Sequence, residues 1–455
     1  MAGKPGVLIS TDEFVDNAKS AAMDVGMPPV RMVALPAASY YRARGSVEEV
    51  TPVAEAYLDR IIASLTQPAT PEEANPGEME KVSQDQPFTV TGEDYEEALE
   101  QVNQLFLEKR WADGLPVVPP TRKAVDRMLT GTSRSPDEIL GPVALKNGQA
   151  SIRKIAINAV MAGAKPEYLP VIIAAMEGFL DKKYNLTHMQ ASTGSFMPAI
   201  IVTGPIAKEL DFNSGIGMLG HGWRANSTVG RALRLSLLNL GHTWPAVNDM
   251  GLTGRMSPHT FYTFAEDEER NPWTPDHVSF GIEPEASAVS VSTVAGHYDV
   301  LGGGAVALWT GQSVLDQIVS SIGGLRMGRP SPKQKYVVTF NPDCAYELVK
   351  MGFTTRESVQ EWLYENSRVP IEKLRPGTKE AIQRMIDDGR LRADRIPVYQ
   401  KALDENSSIP VVQSPQDIHI FVAGGSPGYT LLFGYLDDSH VSKKIHGATL
   451  TVAGR

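Results

Sequence analysis

A chain of 455 residues with a single cysteine, Cys344, can form no internal disulfide and no cysteine metal cage from its own side chains. One thiol in so long a chain suits a reducing compartment. Clustered basic charge is missing as well: 43 Lys and Arg face 53 Asp and Glu, for a net charge of −10. Phosphate backbones demand the opposite balance, which excludes nucleic acid as an expected partner. No uninterrupted apolar run approaches the roughly 18 residues that cross a bilayer, so no membrane is expected either. The opening residues Met1 to Gly6 lack the apolar core of a signal peptide. A cytoplasmic protein is the expectation.

What is present is a globular composition, 42% apolar and 21% charged, in a chain long enough for two or three cores. The pattern predicts an α/β fold. Val7-Leu8-Ile9 reads as a strand, Phe14 to Val25 as a helix closed by Gly26, Val30 to Leu35 as a second strand and Val47 to Leu65 as a second helix. Residues 1–68 therefore form an incomplete βαβα unit, because parallel strands need neighbours on both edges and helices on both faces. The missing strands come either from elsewhere in this chain or from a second chain. Gln67 to Pro87 is rich in Pro, Glu, Gln and Asn, so residues 69–90 read as a linker.

A central α/β domain with long glycine-rich loops is expected over residues 91–329. It opens with helices over Gly92–Lys109 and Arg122–Leu129, separated by the proline-fixed segment Trp111–Thr121. Apolar helices follow at Ser151–Ala164 and Glu167–Asp181, then a strand at Ala199–Val202 and a helix at Val229–Leu240. A strand at Val289–Val294 and a helix at Val306–Ile322, after Gly302-Gly303-Gly304, complete it. A C-terminal α/β portion over 330–455 carries strands at Lys335–Phe340 and Ile418–Ala423. Its helices are Asp343–Met351, one opening at a capping box Thr354-Thr355-Arg356-Glu357, and Thr378–Asp388.

Chemistry is expected between Tyr184 and Gly281, where five of the nine histidines lie among many Asn and Trp. In Gly220 to Arg231, Ser227 or Thr228 caps a helix whose free N–H groups point outward. Arg224 and Arg231 add charge, which together describes an anion or carboxylate site. Asn226, Asn213 and Thr193 join it as candidate substrate-binding residues, and His221 as a proton-transfer group. The bland alternative is a glycine-rich turn with structural arginines paired to the acidic run Glu266-Asp267-Glu268-Glu269. Within that run Glu266 and Glu268 are the candidate general bases, since alternate positions on an extended strand share a side. The histidines show no paired spacing, so no metal is assigned; His221 and His242 are the pair a metal would use. The cofactor is unknown. Gly424, Gly425 and Ser426 are a candidate anion nest, with a plain hairpin turn as the alternative. Cys344, at a helix start, reads as packing.

Several segments resemble proteins of the UGSC family, named for a Sec- or Cys-containing Gly-Ser-Cys motif. They include Ile9 to Phe14, Leu35-Pro36, Asp113 to Thr121, Asn158 to Gly163, Gly204-Pro205, Arg224-Ala225-Asn226, Gly230 to Leu235 and Val441 to Ile445. The resemblance spans nearly the whole chain, but the family's motif cysteine would precede Gly6 and has no counterpart here. It implies a subunit of a hetero-oligomeric enzyme, in which a second chain completes the N-terminal sheet and supplies a thiol for redox or nucleophilic chemistry. The substrate expected from the residues themselves is a small polar or anionic molecule. A metal-dependent lyase or hydrolase and a noncatalytic scaffold subunit remain the alternatives.

Overall fold

Met197 to Thr203 is apolar at almost every position, the signature of a strand covered on both faces. It is the inner strand of the central sheet in a computed structural model that describes residues 6–24, 30–37, 47–68, 70–74, 87–245, 247–300, 311–323, 335–374, 377–426, 430–436 and 439–446. In chain order the strands are β1 (Leu8–Thr11), β2 (Met32–Leu35), β3 (Ile139–Val143), β4 (Gly148–Ser151), β5 (Met197–Thr203), β6 (Tyr262–Ala265) and β7 (Ala288–Val294). They continue with β8 (His297–Val300), β9 (Lys335–Phe340), β10 (Arg368–Pro370), β11 (Ser408–Pro410), β12 (Ile418–Val422), β13 (Thr430–Leu436) and β14 (Val441–Lys444). The fold is α/β.

Two four-stranded sheets organise the molecule. The first runs β14-β7-β5-β6, with β5 and β6 parallel and β7 antiparallel to both β5 and β14. The second runs β12-β9-β13-β8, with β12 and β9 parallel. The last part of the chain thus serves both sheets, giving β13 to the second and β14 to the first. Because β12 and β13 lie on opposite sides of β9, the Gly424 segment is a crossover and not the hairpin turn its glycines suggest.

Helices Ile152–Met161, Leu169–Leu180 and Arg224–Gly241 pack together, and the last two cover the first sheet. The second of these is buried along nearly its whole length, as its lack of charge except Glu177 requires. Glycine sets the closest approach twice. A Cβ on Gly178 would meet Val291 Cγ2 at 2.7 Å, and one on Gly230 would meet the Thr260 carbonyl oxygen at 1.7 Å. The Arg224–Gly241 helix starts five residues before its expected Val229, because Ala225 and Asn226 are buried and extend its inner face.

In the N-terminal unit β1 and β2 pair in parallel, Leu8 with Met32 through Thr11 with Leu35. Helices Val15–Asp24, Val47–Glu55 and Leu58–Thr66 accompany them. Gly26, Gly302-Gly303-Gly304 and most of the linker lie outside the described residues, although Pro71–Ala74 is a helical turn. Sequence patterns missed β3, β4, β6, β8, β10, β11 and β14, all five residues or shorter and without a clean alternation. The capping residue of the Arg356–Asn366 helix is Thr355, reciprocated by Ser358 and not by Glu357.

Gly230→Ala forces helix Arg224–Gly241 away from Thr260, at a cost of about 1–3 kcal/mol. Urea denaturation is expected to show that loss as a lowered midpoint with an unchanged slope.

Candidate functional site

Parallel strands end in backbone groups that no further residue of the strand can satisfy, and the loops that follow build sites there. Here four such ends converge. Glu266 N donates to Val202 O at 2.9 Å, joining the ends of β6 and β5. Asp267 N donates to Val422 O at 2.8 Å and Ala423 N to Phe340 O at 2.9 Å, joining β6 to β12 and β12 to β9. The two sheets are stitched together at this point.

Glu266 sits in the seam, 4% exposed. Its Oε1 accepts from Asn271 Nδ2 at 2.9 Å and from Val422 N at 3.3 Å, while its Oε2 is buried with no hydrogen-bond partner. Burial pushes its carboxyl up to about 8; Asp276 and Glu268 add to the rise and Arg356 opposes it. Glu268 lies at the start of a 3₁₀ turn, Glu268–Arg270, and its Oε1 accepts from Gly204 N at 2.5 Å. Burial raises its pKa too. His277 Nδ1 is 4.0 Å from Glu268 Oε1, and both of its fully buried ring nitrogens lack a hydrogen bond. A buried polar atom without a partner is costly, so the three such atoms of Glu266 and His277 mark a place built for something else to occupy.

Asp276 adjoins this group. Its Oδ1 accepts from Arg356 at 2.9 Å, and its Oδ2 lies 3.0 Å from His440 Nε2. His419 Nδ1 stands 3.8 Å from Oδ1. Against the effect of burial, the two imidazoles hold Asp276 well below the carboxylate range. Burial, reinforced by His440, lowers His419 to about 3, leaving it neutral. His440 Nδ1 contacts Ser292 Oγ at 2.5 Å, which completes a Ser292–His440–Asp276 row. Ser292 has no exposed surface inside β7, so this row is no nucleophilic triad; a nucleophile must reach its substrate.

Among the described residues, Asp276, His419 and His440 are also the three whose donor atoms lie close enough together for a metal, within 4.8 Å. Their geometry fits an ion poorly. The two imidazoles stack with centroids 3.6 Å apart and planes 22° from parallel. An ion at about 2.1 Å from each nitrogen lies in the plane of each ring, and stacked planes share no such point. Arg356 already occupies the carboxylate.

The sequence-derived candidates divide. Glu266 and Glu268 come together, but Glu268 is reached through a turn and not along a strand, since β6 ends at Ala265. His221 lies on an exposed turn. His221 and His242 flank the two ends of an 18-residue helix, roughly 27 Å long, so the alternative metal pair is separated by that span. Ser227 and Thr228 do not cap the helix; they fall within its first two turns, and Thr228 Oγ1 bonds back to Arg224 O at 2.7 Å.

Arg224 donates to Gly163 O, at 2.8 Å from Nη2, closing the Ile152–Met161 helix. Arg231 grips Asp113 through two bonds of 2.9 Å and also reaches Leu115 O and Pro116 O. Neither arginine pairs with the acidic run. Asn226 is a buried strut between Asn213, Met218 and Thr263, and Asn213 answers it from its backbone. Thr193 is exposed, with its carbonyl accepting from Leu252 N. Gly424, Gly425 and Ser426 lie at the end of β12, beside the seam. Gly424 N is bound to Ser214 O, Gly425 packs on Ile216, and Ser426 Oγ is buried without a partner.

Asp276, His277, Arg356, His419 and His440 were not singled out as site residues. One signal was available, a histidine inside the apolar run Ile418-His419-Ile420-Phe421-Val422. A surface groove of about 770 Å³ along the Tyr95–Glu108 helix gathers only the exposed acids Glu100 and Glu108, and so offers no comparable chemistry. No protein-family model, curated protein or solved structure matches the chain. Among the described residues no helix is long and apolar enough to cross a membrane.

Burial pushes the thiol of Cys344 up to about 12, so it is not a nucleophile of this site. A disulfide reagent at pH 8 is expected to modify the native protein about a hundredfold more slowly than the denatured chain.

Proposed function

We propose that this chain is an enzyme subunit that performs general acid–base chemistry on a small polar molecule, with Glu266 as the group that carries the proton. The observation that supports it is the unpartnered Oε2 of Glu266, buried where four strand ends meet and raised to about 8. A carboxyl that is protonated near neutrality, yet able to ionise, is matched to proton transfer at the working pH. Glu268 and His277 stand beside it as the second acid–base pair. Burial holds Glu266 in its protonated form, and the charge that Asp276 keeps adds to that effect. The chain's one thiol is inert, so any thiol chemistry would belong to a partner.

A second chain is part of this proposal. β1 exposes Leu8 and Ile9, 39% and 48%, at the edge of a sheet of two described strands. The amphipathic helix Leu58–Thr66 buries no residue. Both fit a surface that a partner covers. Purified alone, the chain is expected to show rapid amide exchange in β1 and β2, slowed on co-purification with its partner; full protection in an isolated monomer overturns the partner proposal.

The proton carried by Glu266 is testable without a substrate. Unfolded, its carboxyl titrates near 4.5; folded, it holds the proton to about 8. The folded state binds more protons in that window, so the Glu266 contribution is complete below pH 4.5 and declines as pH rises to 8. Stability of the native protein relative to Glu266→Gln is expected to fall by up to about 1.4 kcal/mol per pH unit across it. An infrared band of a protonated carboxyl should persist at pH 7 and vanish in Glu266→Gln. Identical pH profiles for the two proteins would overturn the assignment.

A further inference from the structure

Three arginines of the interior, Arg255, Arg356 and Arg231, are each held by several acceptors. Arg255 donates to Asp249 twice, at 2.7 and 3.1 Å, and to the carbonyls of Gln190, Ser192, Gly194 and Phe196. Arg356 holds Asp276, Thr274 O and Pro275 O, and Arg231 holds Asp113 with two carbonyls. Arg234 is 9% exposed and, among the described residues, has neither a hydrogen bond nor an ion pair. Its guanidinium lies over the Phe261 ring, whose centroid is 5.8 Å from Cζ, in the field of Asp249, Arg255 and Asp113. A guanidinium brings five N–H donors, and holding one that is nine-tenths buried without an acceptor from the protein is costly.

The surroundings carry net positive charge. Arg231, Arg234 and Arg255 face two carboxylates, Asp113 and Asp249, which leaves one cation uncompensated. Both carboxylates are already engaged, Asp113 by Arg231 and Leu115 N, Asp249 by Arg255 and Gly251 N. His259 lies 3.6 Å from Asp113, too far for a hydrogen bond, with its Nδ1 unpartnered and its side chain 41% exposed. The loop that brings His259 here holds two non-glycine residues in left-handed conformation, Ser257 at φ 42° and Phe261 at φ 54°. Such conformations cost energy and persist where the surrounding structure enforces them. Gly230, one turn before Arg234, admits the Thr260 carbonyl and seats that loop over the same helix face.

We infer that Arg234 is the anchor of a binding site for a small monocarboxylate, formed by Arg234, His259 and Phe261 beside the Arg231–Asp113 pair. One uncompensated positive charge calls for one negative charge, and a planar fork of donors fits a carboxylate in bidentate fashion. A phosphate dianion would overshoot the charge. The aromatic ring of Phe261 faces the apolar remainder of the ligand. This site is separate from the Glu266 site and does not rest on it: Phe261 precedes β6 and Glu266 follows it, roughly 16 Å along the strand.

Thermal denaturation of the purified chain tests the inference with sodium acetate as the probe, against sodium chloride at matched ionic strength and against sodium phosphate. The wild-type melting temperature is expected to rise saturably with acetate and to stay flat with the other two salts. Arg234→Met, which removes a buried unanswered charge at similar volume, is expected to melt above wild type in chloride and to lose acetate affinity about ten- to a hundredfold. Arg234→Lys keeps the charge without the fork; it should melt no higher than wild type and respond to acetate more weakly. An Arg234→Met protein that melts below wild type in chloride makes Arg234 structural and overturns the site. So does an unchanged acetate response in either variant, or a wild-type response to phosphate that matches or exceeds the response to acetate.

Discussion

Asp276 is the side chain on which the arrangement of the site depends. One carboxylate, 2% exposed, meets Arg356 from the helix after residue 355, His419 from β12 and His440 from the residue before β14. Three segments distant in sequence are thereby fixed to one turn, Asp276–Phe280. Breaking such a buried pair by removing one partner leaves the other charge unanswered, at a cost of about 3–5 kcal/mol. Replacing the whole network by apolar groups would be far less harmful. Asp276 is held here because it sets position and charge, which an apolar contact cannot do.

The consequence is electrostatic. Asp276 and Glu266 are both fully buried carboxyls within one field, but their environments differ. Asp276 has a guanidinium and two imidazoles against it and keeps its charge, whereas Glu266 has one amide and one backbone N–H and cannot. The fixed charge on Asp276 then raises the neighbouring carboxyl further, as Glu268 does from the other side. Two acids of ordinary intrinsic strength are driven apart by what surrounds them, the pattern that separates a proton carrier from a fixed counter-charge. His419 is held neutral by the same burial, so the stacked imidazoles add no repulsion.

Local features of the chain were legible in the sequence and long-range ones were not. The helices Arg122–Leu129 and Leu169–Leu180 and the strands β5, β7, β9 and β12 carry their periodicity or apolar run within a dozen residues, and that is what determines them. Glu266 and Glu268 stood out as alternate positions of an acidic run, although the strand β6 that precedes them did not. The partners of Glu266 could not be read. Val422 approaches it across a separation of 156 residues, and Asp276 meets His440 across 164. The arginines misled for a related reason. Glycine and arginine in Gly220 to Arg231 describe an anion site equally well as a tightly packed helix start, and the choice turns on Asp113 and Gly163, which supply the acceptors from far upstream.

The N-terminal unit follows from the same accounting of contacts. Over residues 6–74 the described apolar side chains that reach full burial are Val33, Leu35 and Ala37, whereas Leu8, Ile9, Val47, Leu58 and Ile62 stay exposed. A two-stranded sheet with so small a core is marginal in water. One polar device supports it: Arg31 binds Glu73 and caps the Leu58–Thr66 helix through the carbonyls of Ser64, Gln67 and Pro68. That clamp fixes the chain direction out of the helix but buries little apolar area, and burial is what overcomes the entropy of ordering a chain. A parallel pair of strands with an apolar edge and an uncovered amphipathic helix is therefore a structure whose stability must be completed from outside it, which is the physical basis of the partner proposed for this chain.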